Sequence, residues 1–284
     1  MPPSLNILSF DIEEWFMSYD SSQIPVSKWK TLPPRIEQNI EDILIFLEQA
    51  NLKATFYIMG WIAEHYPHTV ENIAGAGHEI GYHSYYHEQP ANQGPEKFED
   101  DLIRGLDILQ SITNQPITLY RAPRFSLSCQ SAFTIPILHK HGIQISSSTM
   151  SERSCNGAVL PAHPFIFEVN GIQLPEIPLN RKSTLGIQWV YTGSGYFRIL
   201  PLWLIRKLYS QSPYNMAYFH PRDFDPHVPK TSHLPFYRNI MSNLGNNTTI
   251  PKLRQLIPHT HFQTITQAWQ TYKANNPSIP IIKI

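Results

Sequence analysis

Short apolar runs alternate with amphipathic segments along this chain, and that order constrains the fold more than any other feature. Leu5 to Phe10 is an apolar run closed by Asp11, and it reads as a buried strand. Ile36, Ile40, Ile43, Leu44 and Leu47 then fall at helical spacing, with Glu37, Glu41, Asp42 and Glu48 on the other faces. Ala54 to Met59 is a second strand with aromatic and β-branched character. Residues 61–75 read as a helix stopped by Gly75-Ala76-Gly77, and His78 to His83 as a third strand. Phe98, Leu102, Leu106, Leu109 and Ile112 mark another amphipathic helix, with Pro95 near its start. Strand candidates follow at 117–120, 143–147, 172–177, 216–220 and 262–265, and helices at 131–140, 202–209, 251–256 and 268–273. Strands alternating with helices predict an α/β architecture built on a parallel sheet. No internal repeat is visible, and residues 148–200 are the least regular stretch, fitting a long excursion or a small hairpin insertion. The expectation is one domain with elaborations.

Composition narrows the class. The chain has 284 residues, with 22 Lys and Arg balanced by 22 Asp and Glu, which argues against a general nucleic-acid binder. A hydrophobic fraction of 42% and a charged fraction of 15% exclude wholesale disorder. Two cysteines, Cys129 and Cys155, are too few for a disulfide framework; a single bridge between them is the alternative, and free thiols are expected. No apolar stretch reaches the roughly 18 residues of a membrane span. The start, Met1-Pro2-Pro3-Ser4, has no basic region ahead of an apolar core. No secretory signal is therefore read there, and the expected location is the cytoplasm, or the inner face of the membrane as a peripheral protein.

Four clusters carry the chemistry. His83-Ser84-Tyr85-Tyr86-His87 has two histidines four apart, which lie on one side if this turn is helical and can then share a divalent metal. Surface or core histidines are the plain alternative. Asp11 and Glu13 end the first strand two residues apart, so strand alternation sends both carboxylates to one face. One can bind a metal while the other accepts a proton; a polar strand end with a helix cap is the plain alternative. Glu14 is expected to point away into solvent. Arg121, in Tyr120-Arg121-Ala122-Pro123-Arg124, can hold a carboxylate by two hydrogen bonds, or make an ordinary salt bridge. His220 ends another strand, with Asp223 and Asp225 near enough in sequence to orient its ring, as a general acid requires; a buried structural histidine is the alternative. Tyr196 and Phe197 follow Gly193-Ser194-Gly195, where glycines allow a close backbone approach to a ligand.

Taken in order, these clusters resemble the polysaccharide deacetylase family, carbohydrate esterase family 4, with its NodB homology fold. Ser9-Phe10-Asp11-Ile12-Glu13 is similar to the family's first motif, His83-Ser84-Tyr85-Tyr86-His87 matches the second, Arg121-Ala122-Pro123 the third, and His220 stands where the last motif has its catalytic histidine. Ser9 to Phe16, Gly193 to Arg198 and Phe219-His220-Pro221 are similar to a bacterial subgroup found beside exopolysaccharide and exosortase-associated gene clusters. The resemblance implies a distorted (β/α) barrel of about seven strands with loop or hairpin insertions. It implies a single catalytic domain over residues 1–284, with residues 230–284 as a C-terminal extension.

The implied activity is metal-dependent removal of N-acetyl groups from amino sugars of a surface glycan or its lipid-linked or nucleotide-linked precursor. Glu13, His83 and His87 would hold one divalent metal, zinc by preference, with Asp11 as general base and Arg121 orienting it. The Arg124 backbone N–H and Tyr196 would face substrate, and His220 would protonate the departing amine. Two departures stand out. Ile12 occupies the family's metal-aspartate position and cannot ligate, so Glu13 is the expected substitute; the alternative is Asp11 as ligand with the base elsewhere. The fourth motif's aspartate has no counterpart in Ile145-Ser146-Ser147-Ser148-Thr149. Competing readings are a C–N hydrolase on a non-sugar amide, an O-acetyl esterase, and a catalytically inactive glycan-binding protein.

Overall fold

The structure is a computed structural model that describes all residues except 1–3, 18–22, 152–153, 156–157, 185–186, 232 and 234–235. In chain order the strands are β1 (Leu5–Ile12), β2 (Thr55–Ile58), β3 (Glu79–Tyr82), β4 (Leu119–Tyr120) and β5 (Ile145–Ser146). Then come β6 (Ser154–Cys155), β7 (Ala158–Val159), β8 (Phe165–Val169), β9 (Ile172–Glu176), β10 (Lys182–Thr184) and β11 (Ile187–Trp189). The last are β12 (Tyr214–Phe219), β13 (Phe262–Gln263) and β14 (Ile281–Lys283). Seven of them, β12-β1-β2-β3-β4-β5-β9, lie side by side with every adjacent pair parallel. β8 adds antiparallel to β9, β14 pairs with β8, and β13 pairs with the start of β1.

The expected parallel α/β sheet is therefore present, curled in the sense of an incomplete barrel. Among the described residues no ladder joins β12 to the segment after β9, but side chains bridge them. The Tyr214 hydroxyl donates to the carbonyl of Pro178, and the Met216 backbone N–H donates to Asn180 Oδ1 at 2.8 Å.

β1 is buried along its whole length. Its alternation divides the core in two. Leu5 and Ile7 point inward with Tyr57, Leu119, Ile145, Ile177 and Met216. Leu8, Phe10 and Ile12 point to the helix layer with Ile36, Ile40 and Ile43 of the helix Ile36–Gln49. The strand runs through Ile12, two residues past the expected end at Phe10. That extension changes the fate of Glu14, which is 1% exposed rather than solvated. Its Oε1 accepts from the backbone N–H groups of Arg35 (2.8 Å) and Ile36 (2.9 Å), capping the helix that starts there. Burial pushes its carboxyl up to about 7.

Proline positions account for two further departures. The helix expected over 61–75 is split into Gly60–His65 and Pro67–Gly75, because Pro67 disfavours helical backbone at Tyr66. The long helix Pro90–Thr113 bends at Gly94, φ +74°, directly before Pro95. The irregular stretch 148–200 holds three hairpins, β6–β7, β8–β9 and β10–β11. Among the described residues, no helix is long and apolar enough to cross a membrane.

Cys129 and Cys155 are joined in a disulfide that ties the loop after β4 to the β6–β7 hairpin, correcting the expectation of free thiols. Sequence spacing gives no distance between loops, and their Cα atoms meet at 5.5 Å. Closing a 26-residue separation stabilises the fold by about 3 kcal/mol in the chain-entropy account. Protein unfolded without reductant should therefore expose no thiol to Ellman's reagent, and Cys129→Ser/Cys155→Ser should lower the urea midpoint accordingly. Two reactive thiols in the unreduced parent would contradict the bridge.

Candidate active site

β1 sends Ser9 and Asp11 into the barrel, and Glu13 continues the same face just beyond the strand. All three are buried. β4 delivers Arg121 opposite them, its backbone N–H fixed on the Tyr82 carbonyl at 2.9 Å. The guanidinium has no exposed surface. Nη1 bonds Asp11 Oδ1 at 2.6 Å and Ser9 Oγ at 3.0 Å, while Nη2 bonds Ser147 Oγ at 3.0 Å and Nε the Ser147 carbonyl at 3.2 Å. Its plane lies over the rings of Tyr57 and Phe125, 4.0 and 4.8 Å from their centroids. Burial pushes the Asp11 carboxyl up, but Arg121, then His83 and His220, hold it below its ordinary value.

The serine-rich stretch that lacks the fourth-motif aspartate is held by a carboxylate from another strand. Glu176 of β9 accepts at Oε1 from the backbone N–H of Ser148 (2.7 Å) and Thr149 (2.8 Å) and from the Thr149 hydroxyl (2.9 Å). Ser148 Oγ in turn accepts the Ala122 N–H at 2.8 Å, next to Arg121. Sequence reasoning passed over Glu176; the one signal was an acid inside the apolar run Ile172–Ile177.

His83 and His87 do come together, with ring centroids 5.4 Å apart. They do so through a loop, not the helical turn the spacing suggested, with left-handed backbone at Ser84 and His87 (both φ +60°). The His83 N–H donates to the Ile58 carbonyl, and Nδ1 sits 2.8 Å from the Arg121 carbonyl. A carbonyl only accepts, so Nδ1 carries a proton, and Nε2 faces Asp11 Oδ2 at 4.0 Å. His87 Nε2 lies 3.7 Å from Glu13 Oε2. Burial, only partly offset by Glu13, pushes the His87 ring down to about 4, so it is neutral at pH 7.

His220 closes the pocket from β12. Nε2 is 3.0 Å from Glu13 Oε1 and Nδ1 3.3 Å from Asp223 Oδ2. Burial and Arg222 push its ring down, but Glu13 and Asp223 outweigh them and raise it to about 9. Asp223 is the ring partner, whereas Asp225 turns away to a two-pronged pair with Arg35 at 2.8 and 3.0 Å. Burial would raise the Glu13 carboxyl, yet His87 and His220 hold it well below the ordinary carboxylate range.

Two expected substrate contacts sit at the rim. Arg124 has φ +59° and shares with His87, Trp29 and Tyr86 a cleft of about 220 Å³. Tyr196 is half-exposed beside Trp189, on the helix Ser194–Ile199. Gly193 serves packing rather than a ligand, since a Cβ there would meet the Tyr218 carbonyl. It brings Ser194 Oγ to 3.4 Å from both His220 Nδ1 and Asp223 Oδ1, a contact the sequence did not signal.

Among the described residues, no three His, Cys, Asp or Glu side chains form a closed metal cage. The groups stand instead as two facing pairs, Asp11–His83 and Glu13–His87. The donor chemistry nonetheless fits a small divalent ion. Glu13 Oε2 is buried without a hydrogen-bond partner, and the Arg121 carbonyl takes His83 Nδ1, so Nε2 is the ring nitrogen turned toward the carboxylates. Two ligands of a tetrahedral ion at about 2.0–2.1 Å stand about 3.3 Å apart, so the 3.7 Å between Glu13 and His87 needs a shift of a few tenths of an ångström.

Residues 14–146 match the model of the polysaccharide deacetylase family, and residues 146–270 that of a domain of unknown function, DUF3473. A curated peptidoglycan deacetylase of Helicobacter pylori is 31% identical over 114 residues, 40% of this chain. The match spans 38% of that relative's length. A Mycobacterium smegmatis structure designated a polysaccharide deacetylase aligns over 96% of this chain and 92% of its own, with TM-score 0.64 and 18% identity. A CE4 family pseudoenzyme from Bacillus anthracis aligns over 94% and 66%, with TM-score 0.52 and 14% identity. These two likenesses establish the fold. The family model places a polysaccharide deacetylase domain, that of carbohydrate esterase family 4, over residues 14–146 of this chain.

Proposed function

We propose that the chain is a metal-dependent hydrolase that removes N-acetyl groups from amino sugars of a bacterial surface glycan or its lipid-linked or nucleotide-linked precursor. Glu13 Oε2 carries the reading: a charged, buried carboxylate oxygen without a hydrogen-bond partner, facing a neutral imidazole. Glu13, His83 and His87 would hold the divalent ion, zinc by preference, leaving Asp11 as the general base. Such an ion, when bound, polarises an amide carbonyl and lowers the pKa of water.

The chain's own residues do the rest. Arg121 occupies Asp11 Oδ1, so Oδ2 is the oxygen that takes a proton from the attacking water. Arg121, itself pinned by Ser9 and Ser147, sets that carboxylate's orientation. The Arg124 backbone N–H steadies the developing oxyanion, and Tyr196 meets the sugar at the rim. His220, its Nδ1 held by Asp223, donates its Nε2 proton to the departing amine. The C–N bond breaks, leaving acetate and a free amino sugar. The whole chain works as one catalytic domain, with residues 230–284 packed on it. Its place in exopolysaccharide assembly rests on the motif resemblance. The Cys129–Cys155 bridge favours an oxidising compartment over the cytoplasm.

Metal analysis with an acetate-release assay on N-acetylglucosamine oligomers tests this. His83→Ala should lose the bound ion. Asp11→Asn should keep it and lose about 10²–10⁴-fold in kcat. Unchanged turnover in both would remove the mechanism, and a parent with neither ion nor acetate release would favour the inactive glycan-binding reading. His220→Asn should retain the ion and lower kcat at least about 10²-fold with little change in KM. Loss of the ion in that variant would instead make His220 a support for Glu13 rather than a proton donor.

A further inference from the structure

The balanced charge of the whole chain hides a sharp partition. Residues 1–176 contain twenty acids and ten Lys and Arg, whereas residues 177–284 contain twelve Lys and Arg and two acids. Those two, Asp223 and Asp225, are both buried, one beside His220 and the other against Arg35. The surface contributed by the C-terminal part therefore displays cations and no carboxylate.

The same part exposes large apolar side chains. On the helix Phe236–Asn243 and the residue after it, Phe236 (82% exposed), Ile240 (47%), Met241 (54%) and Leu244 (45%) face solvent. Ile199 (49%) and Trp203 (66%) extend the apolar surface from the neighbouring helices Ser194–Ile199 and Leu202–Gln211. The two groups are physically joined, since Arg198 Nη1 bonds the Ser242 carbonyl at 3.0 Å and Gly245 packs on the Arg198 backbone. Exposed Lys207 stands one helical turn from Trp203 on the same face, with Arg206 beside it. Exposed Lys230 precedes Thr231, whose backbone is bonded on both sides by the Asn239 amide of the apolar helix.

We infer that this face docks on an anionic lipid bilayer. An apolar surface bordered by Arg206, Lys207 and Lys230, with no exposed Asp or Glu contributed by residues 177–284, matches an interface in which side chains enter the acyl boundary while Lys and Arg meet phosphate headgroups. A nucleic acid would use the charge but not the apolar row. A second copy would cover the apolar row but oppose cation to cation. The helix Ser194–Ile199 starts beside His220 and ends in this face, roughly 8 Å along its axis. Docking therefore brings the pocket to the membrane surface. The inference does not depend on the proposed chemistry.

Vesicle co-sedimentation of the whole chain tests it. The parent should bind phosphatidylcholine vesicles containing about 30% phosphatidylglycerol, and binding should fall at least tenfold on pure phosphatidylcholine or in about 0.5 M salt. Trp203→Ser/Phe236→Ser and, separately, Lys207→Glu/Lys230→Glu should each weaken binding at least tenfold, with thermal midpoints matching the parent's. No binding by the parent, or binding by both variants equal to the parent's, would overturn the inference. So would light scattering that shows a dimer split by Trp203→Ser/Phe236→Ser, or retention on duplex DNA without vesicle binding.

Discussion

The buried ion pair between Arg121 and Asp11 is the constraint on which the rest of the structure depends. A guanidinium with no solvent contact must find its compensation inside the protein, and here it does so from β1, the loop after β5 and two aromatic faces at once. Those partners exist only if β1, β4 and β5 keep their register, so the pair ties the geometry of the candidate site to folding. Truncating either partner would strand a buried charge, at a cost of about 3–5 kcal/mol. An amide in place of the Asp11 carboxylate keeps the shape and one acceptor, which is why it separates chemistry from stability better than alanine.

Much of this was readable from residue order. Strand alternation placed Asp11 and Glu13 on one face because the period of two holds in any extended strand. The helical spacing from Ile36 to Leu47 and the apolar strand at 55–58 are local patterns that the packing kept. The histidine pair was found for a partly mistaken reason: the residues meet, but through left-handed backbone at Ser84 and His87, which a spacing rule cannot foresee. Glu14 was misread because two more residues of strand carried it under the first long helix. Glu176 and the Cys129–Cys155 bridge depend on segments brought together across the sheet, information that no local window contains. Gly193 illustrates the same limit, since its small size answers the Tyr218 backbone rather than a ligand.

The charge partition shows how an average can mislead. Equal numbers of acids and bases argued against a general nucleic-acid binder and gave no hint of where the charges lie. Twenty of the 22 acids lie in the first 176 residues while the bases are divided ten to twelve, so a neutral total coexists with an acidic first part and a basic second part. The two family models meet at residue 146, yet β2 to β5 of the first and β8, β9, β12 and β13 of the second belong to one sheet. The basic part is thus attached through backbone ladders to the part that carries Asp11, His83 and Arg121.

Glu13 and Glu176 make an instructive pair. Each is a buried carboxyl with one oxygen, Oε2, lacking a hydrogen-bond partner. Burial pushes Glu176 toward its neutral form, in which an unpaired oxygen is a modest penalty. Glu13 is driven the other way, toward full ionisation, by the imidazoles around it. A charged oxygen left bare in the interior is far more costly than a neutral one. The same count of missing hydrogen bonds therefore means different things at the two positions. At Glu176 it is a tolerated gap in a network that positions the Arg121 loop. At Glu13 it is an ionised oxygen 3.7 Å from His87 Nε2, and the proposed metal site rests on that arrangement.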